Sequence, residues 1–235
     1  MLTIWPEPGH GLEIESMDGL SDIQIIEQPD WISDDEIADV LHDAHQTTLA
    51  AGMHYSVLTQ NGADIRARLG ENGRFFVALK DGKELVGVSG ISFFERSKSW
   101  YAKGQPYAEV KLEGVRNEFK GMGINGLLHK RIYEYAFDKV NVLVTNTAVQ
   151  NSIVIRNDLK RGWTIVDFTS WKSTDYYSVV MAKWKDGCPY SKAECRFRFL
   201  MKKCRVMLLK NRFGQTRAVF RMLNRKRNDK RVEEG

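Results

Sequence analysis

The chain has 235 residues, 43% hydrophobic and 28% charged, a balance that supports a sizeable core and excludes a disordered or low-complexity polypeptide. No stretch approaches the roughly 18 uninterrupted apolar residues of a membrane-crossing helix, and Met1 to Pro6 lacks the basic start and apolar run of a secretory signal. The net charge of +5 hides an asymmetry: from Lys185 onward 16 Lys/Arg stand against 5 Asp/Glu, a net of +11, which leaves −6 for the body. Cys188, Cys195 and Cys204 have neither CxxC spacing nor a nearby histidine. No metal site is therefore expected, and the odd count fits reduced thiols of a cytoplasmic protein.

In chain order, Asp22 to Glu27 reads as a strand stopping before Pro29. Ser33 followed by Glu36 forms a capping box, and Ile37, Val40, Leu41 and Ala44 at helical spacing predict a helix over about 33–49. A loop through Tyr55 leads to a shorter helix near 60–69. Asp81-Gly82 between Arg74–Leu79 and Leu85–Phe94, both β-branched and aromatic, predicts a hairpin. Tyr107–Val115 is a third strand of the meander. A helix (124–137), a strand (140–145), a helix (151–160) and two strands (164–168 and 176–182) follow. The reading is one α+β domain over 1–184 with a basic helical tail over 185–235.

The sharpest signal is Val115-Arg116-Asn117-Glu118-Phe119-Lys120-Gly121-Met122-Gly123-Ile124-Asn125-Gly126. Two glycines between a strand and an amphipathic helix let the backbone approach a ligand, and the first helical N–H groups point at it with the positive end of the helix dipole. That suits a phosphate or pyrophosphate, with Lys120 as a positive charge at the rim. The bland alternative is an ordinary turning loop. Gly121-x-Gly123-x-x-Gly126 also matches a dinucleotide fingerprint, but five residues separate strand from glycine and the next strand ends in Asn146-Thr147-Ala148 rather than an acid.

Here the residues resemble the GNAT superfamily of N-acetyltransferases. Its cofactor loop is matched by Val115, Asn117 in place of a proline, Phe119, Lys120 in place of an arginine, Gly121, Gly123 and Ile124. A second block is matched by Asn151, Val154, Lys160, Gly162 and Trp163. The resemblance covers about Ile23 to Ala182. It implies a mixed, mostly antiparallel sheet of six to seven strands with flanking helices, split into a V between the fourth and fifth strands, with acyl-CoA in the split. The implied cofactor-binding set is Val115, Lys120, Gly121, Met122, Gly123, Ile124, Asn125, Gly126 and Asn151. Asn125 departs from the family's small residue, and Asp158 stands where many members place the tyrosine that protonates the departing thiolate.

Acyl transfer to an amine needs a neutral nucleophile, a polarised carbonyl and an outlet for protons. Regular alternation along Tyr107–Val115 puts Tyr107, Glu109, Lys111, Glu113 and Val115 on one face and Ala108, Val110, Leu112 and Gly114 on the other. The resemblance ranks Glu109 first as base, with Glu113 second and Asp158 as a further catalytic candidate. A solvated face of ion pairs is the alternative for the glutamates, and Lys111 either favours an anionic substrate group or balances them. Gly114 would allow pantetheine to approach. His42 and His45 read as surface residues and His129 as structural. The expected reaction is N-acetylation of a primary amine from acetyl-CoA or another acyl-CoA, with an amino sugar or membrane-linked intermediate as acceptor. A catalytically silent acyl-CoA-binding or membrane-docking module of the same fold is the rival.

In the tail, Phe197, Leu200, Met201, Cys204, Met207 and Leu208 mark an apolar helix face interleaved with Arg and Lys, and Phe213–Leu223 repeats the character. Packing on the domain, lying on the anionic inner membrane face, and nucleic-acid binding are its three readings, in that order for the last two.

Overall fold

The first strand, β1 (Ile23–Glu27), leads into α1 (Asp34–Ala50) through the expected cap. Ser33 Oγ accepts the Glu36 N–H at 3.2 Å, and the Glu36 carboxylate accepts the Ser33 N–H at 2.8 Å. A second box of this kind, Asn61 with Asp64, opens α2 (Gly62–Leu69). The computed structural model describes residues 20–50, 59–170 and 177–208, without the side chains of 47–50. The Tyr55 loop and Phe213–Leu223 lie outside these residues.

Strands β2 (Gly73–Lys80) and β3 (Glu84–Phe94) are joined through Asp81 and Gly82, both at positive φ (50° and 67°), the geometry that matches the twist of a tight hairpin. There follow β4 (Tyr107–Val115), α3 (Ile124–Ala136), β5 (Val142–Ala148), α4 (Ser152–Lys160), β6 (Thr164–Ser170) and β7 (Tyr177–Trp184). A last helix, α5, covers 192–208. β5 starts two residues later than expected because the Val140 N–H still bonds Ala136 O and closes α3. No helix among the described residues is long and apolar enough to cross a membrane.

The seven strands form one sheet in the order β1-β2-β3-β4-β5-β7-β6. Every pairing is antiparallel except β4 with β5, which run parallel and pair only over Ala108↔Leu143, Glu109↔Val144 and Val110↔Thr145. Beyond Val110 the two strands part: β4 continues against β3 and β5 against β7. The expected split is thus a wedge opening toward the C-terminal ends of β4 and β5.

Each face of the sheet has its own core. Ile37, Leu41, Ile65 and Leu69 of α1 and α2 pack with Phe75, Val77 and Leu79. Ile124, Leu128 and Ile132 of α3 and Ile155 of α4 pack with Phe76, Ala78, Val110 and Met181. Phe199 of α5 joins this second core, edge-on to Phe168 at 5.8 Å, and Arg198 covers the Trp100 ring at 4.5 Å. Fully burying a side chain of this size contributes roughly 1.5–3 kcal/mol, so α5 is held by the same core as the sheet.

Candidate active site

The mouth of the wedge is shaped by an irregularity in β4. Val88 faces Gly114 and Gly90 faces Lys111, so Ser89 stands opposite both Leu112 and Glu113. This is a β-bulge, and Leu112 takes φ of +56° to form it. Its effect is to break the expected alternation. Ala108 and Val110 point to the α3 side, whereas Leu112, two residues on, packs into the α1/α2 core. Glu109 and Lys111 share the α2 side: Lys111 Nζ lies 3.0 Å from the Glu109 carboxylate and donates to Arg68 O at 3.2 Å. Lys111 thus balances Glu109. Glu113 points the opposite way, correcting the expectation that the two glutamates share a face. Gly114 is also explained differently: a Cβ there would lie 2.8 Å from Ala44 Cβ, so the glycine admits α1 rather than a ligand.

Glu113 enters a buried polar chain. Its carboxylate accepts from Ser89 Oγ (3.2 Å) and His129 Nε2 (2.5 Å). His129 Nδ1 is 2.9 Å from Tyr133 OH, which accepts the Trp163 indole N–H at 2.7 Å. Facing a carboxylate, which can only accept, Nε2 carries a proton. Burial alone would push the Glu113 carboxyl up, but the charge and hydrogen bond of His129, the Ser89 hydroxyl and the Arg161 charge outweigh it and hold it below its ordinary range. Burial pushes the Tyr133 phenol up.

Asp158, on the inner side of α4, is 1% exposed. Arg161 lies 3.4 Å from its Oδ1, while Oδ2 is buried with no partner among the described residues. Burial and the Glu113 charge raise its carboxyl to about 6, against the opposing pull of His129 and Arg161. The structure therefore brings Glu113 and Asp158 into one electrostatic cluster and leaves Glu109 on the other face. His129, read from the sequence as structural, joins this cluster through its bond to Glu113. His45 is half-buried: its Nε2 meets Glu113 O at 3.0 Å, and burial lowers its ring to about 4, keeping it neutral. His42 Nε2 meets Gln60 O at 2.9 Å.

The glycine loop lies at the start of α3. Gly121 and Gly123 take φ of +85° and +87°, and a Cβ on Gly121 would meet nothing within 4 Å, so these residues turn an open loop. The N–H groups of Ile124 and Asn125 lie in the first turn of α3, where no helical carbonyl reaches them. Ile124's side chain is core and Met122's is exposed. Asn125 Oδ1 is buried without a partner among the described residues. Val115 pairs with Gly87, and Asn151 caps α4 through the Val154 N–H. Lys120 departs from expectation: its ammonium donates to Ala44 O at 2.7 Å and to Asn117 Oδ1, so it turns back toward α1. Arg161 Nη2 instead stands beside the first turn of α3, 3.8 Å from where a Gly126 Cβ would be.

The sequence model for the acetyltransferase (GNAT) family matches residues 35–157. The chain belongs to the GNAT acetyltransferase family. Among solved structures, NAA60 of Arabidopsis thaliana in complex with acetyl-CoA has a TM-score of 0.52 at 12% identity, covering 70% of this chain and 99% of that one. The same protein with a bisubstrate analogue gives 0.51 at 14%, covering 68% and 98%. A GCN5-related N-acetyltransferase from Kribbella flavida gives 0.51 at 12%, covering 69% and 98%. At these identities the likeness is one of fold. No curated protein matches the sequence.

For a GNAT enzyme the unanticipated residues are His129, Tyr133, Ser89 and Arg161. A sequence signal existed for two of them: on α3, His129 and Tyr133 are four residues apart and fall along the edge of the arc of Ile124, Leu128, Ile132 and Ala136, a polar pair bordering an apolar stripe. Nothing local marks Ser89 or Arg161, whose roles depend on long-range register.

Proposed function

We propose that this GNAT enzyme moves the acetyl group of acetyl-CoA to a primary amine, working from the two faces of β4. What supports the reading is the wedge between β4 and β5, with an open glycine loop at one end and a buried carboxylate cluster against its wall. The residues fit the group: Gly121, Met122, Gly123 and the N–H groups of Ile124 and Asn125 form a turned, donor-rich cradle for the pyrophosphate, with Arg161 as its cation, and Asn151 and Val115 flank the wedge. When bound, acetyl-CoA supplies a thioester whose C–S bond breaks as the C–N bond forms.

Glu109 is the base. It is half-exposed on the α2 side, and Lys111 holds it in place. Glu113 is a poor base, because its carboxylate is already engaged and holds no proton readily. It belongs with Asp158 on the thiol side. There Asp158, raised toward neutrality, gives its proton to the leaving sulfur in the role that the family gives to a tyrosine. An ammonium acceptor loses two protons in all: one replaces the proton lost by Asp158, and the other goes to solvent. Thiol release from acetyl-CoA against a panel of amines, amino sugars included, tests the reaction; a chain that binds acetyl-CoA but acetylates none of them supports the silent-module rival. Gly123→Val should abolish the thermal stabilisation that acetyl-CoA confers by mass action, since a branched residue is strained at this φ.

The acceptor reading extends to α5. Phe197, Leu200, Met201, Cys204, Met207 and Leu208 are all exposed, and Arg196, Lys203 and Arg205 interleave with them. The buried side of the helix is a different one, carrying Cys195, Phe199 and Val206. An exposed apolar stripe set among cations suits an anionic lipid surface, and supports a reading in which the enzyme works at the cytoplasmic face near membrane-linked amines. The full chain should cosediment with anionic but not neutral vesicles, and Leu200→Glu with Met207→Glu should abolish this. Selective retention by DNA would favour the nucleic-acid reading instead.

A further inference from the structure

Five residues, Arg116 to Lys120, separate β4 from the first glycine of the cradle, and ties from three elements hold them. Arg116 donates from its backbone N–H to Val86 O at 2.9 Å and from Nε to Leu85 O at 2.8 Å, at the start of β3. The Phe119 ring sits in the core under α3. Asn117 is held by α1: its N–H donates to Asp43 Oδ2 at 2.7 Å, and its Nδ2 donates to Asp43 O at 2.7 Å and to Oδ1 at 3.3 Å. Lys120 reaches the next residue of the same helix, donating to Ala44 O at 2.7 Å.

At this point α1 is a fixed support. His45 Nε2 meets Glu113 O at 3.0 Å, and because a carbonyl only accepts, the imidazole is the donor. A Cβ on Gly114 would lie 2.8 Å from Ala44 Cβ, so helix and strand touch with no room between them. Three consecutive residues, Asp43, Ala44 and His45, thus join the helix to the bulge of β4 and to the chain that leads into the cradle. A proline, which the family places where Asn117 stands, would lock φ by its ring but would offer Asp43 neither an N–H nor an amide.

We infer that Asp43 is a positioning residue for acetyl-CoA: through Asn117 it holds the cradle in its binding shape before the cofactor arrives. This rests on the acetyltransferase reading above. Asp43 and Asn117 work as a pair, supplying by hydrogen bonds the rigidity that a proline supplies by its ring. A loop that is already ordered loses little freedom on binding, and the affinity is higher by that amount. The sign of the effect separates this role from plain electrostatics. Asp43 and the pyrophosphate are both anions, so a carboxylate acting only through its charge would weaken binding, and its removal would strengthen it. The clasp requires the reverse.

The test uses the full chain and two readouts. In Asp43→Ala the Kd for acetyl-CoA should rise about tenfold, with kcat at saturation changed by less than about twofold. Asp43→Asn keeps an acceptor for the Asn117 N–H and should recover most of the loss. Arg116 is extended, with ψ of 144°, the conformation a residue before proline prefers, so Asn117→Pro fits the backbone. In that background Asp43→Ala should change Kd by less than about twofold, because no clasp is left to lose. Unchanged or tighter binding in Asp43→Ala would overturn the inference, and so would equal losses in the two backgrounds. Amide hydrogen exchange in the ligand-free chain is the second readout: Gly121 to Gly123 should exchange several-fold faster in Asp43→Ala. Unchanged exchange there, with a lowered melting temperature, would reduce Asp43 to a tie that holds α1 alone. If wild type binds no acetyl-CoA, the acetyltransferase reading fails, while exchange in the free loop still decides whether Asp43 holds it.

Discussion

Glu109 and Glu113 lie four residues apart on one strand, yet they occupy two chemical worlds. Glu109 sits on the regular half of β4, where alternation holds, a lysine pairs with it and water reaches it. Glu113 sits beyond the bulge, where Leu112 uses an extra residue and the chain resumes out of phase, so the side chain passes through to the α3 side and is bound by His129 and Ser89. Both are glutamates on a strand; what separates them is one backbone irregularity. Position relative to the bulge, more than residue type, decides which carboxylate can meet an amine.

The largest expected effect tests the accessible half. Glu109→Gln should lower kcat by ~10²-fold or more with acetyl-CoA binding retained, the usual worth of a general base; full activity in this variant would break the comparison. Next comes the acid. Asp158 has its carboxyl raised from an ordinary 3.8 to about 6, so the folded state holds the proton more tightly than the unfolded chain. The stabilisation from that proton is complete below about 3.8 and lost as pH rises through about 6, a swing of about 3 kcal/mol at most. Asp158→Asn should remove the swing and raise stability at pH 8 while lowering turnover; denaturant melts at pH 5 and 8 read the first, and thiol release the second.

A stability contrast sharpens the pair itself. Glu113→Gln should destabilise by about 2 kcal/mol, because hydrogen bonds to a largely buried charge are lost. Glu109→Gln should change stability by less than about 1 kcal/mol, as expected of a half-exposed ion pair that water still reaches. Equal values would mean that the bulge does not partition the strand. The smallest effect lies at the bulge. Glycine at a regular strand position is usually worse than alanine by roughly 0.5–1 kcal/mol, but Leu112 is left-handed, so Leu112→Gly should be no less stable than Leu112→Ala in urea unfolding.

Most of the fold was legible because its signals are local. The Ser33–Glu36 box, the Asp81-Gly82 turn and the glycines before α3 are read within a few residues, and each stands where expected. The candidate site along β4 was less so. The sequence of β4 alternates cleanly through Leu112, and nothing in it announces a bulge, since the left-handed residue is a leucine rather than a glycine. Assigning Glu109 and Glu113 to one face was the direct result. Lys120 looked like a rim cation because its spacing matched, but Ala44 O and Asn117 offered it partners from other elements. The α5 helix shows the same limit: its basic, apolar stripe was visible, whereas the buried set of Cys195, Phe199 and Val206 depends on a core that only the folded sheet creates.

The parallel seam between β4 and β5 is three residue pairs long, and this brevity has an evolutionary side. The core beneath α1 and α2 draws only on the β1–β4 half, while Val142, Val144, Val166, Ala182 and Trp184 form a cluster on the other half, with Tyr101 and Ala102 reaching over from the β3–β4 loop. The core under α3 bridges both halves through Phe76, Val110 and Met181, but changes within the α1/α2 core or within the Tyr101–Trp184 cluster stay on their own side of the wedge. Surfaces fed by those two clusters can diversify separately, so a lineage can exchange one amine acceptor for another on one side while the shared core that carries α3 and its glycine loop is inherited intact.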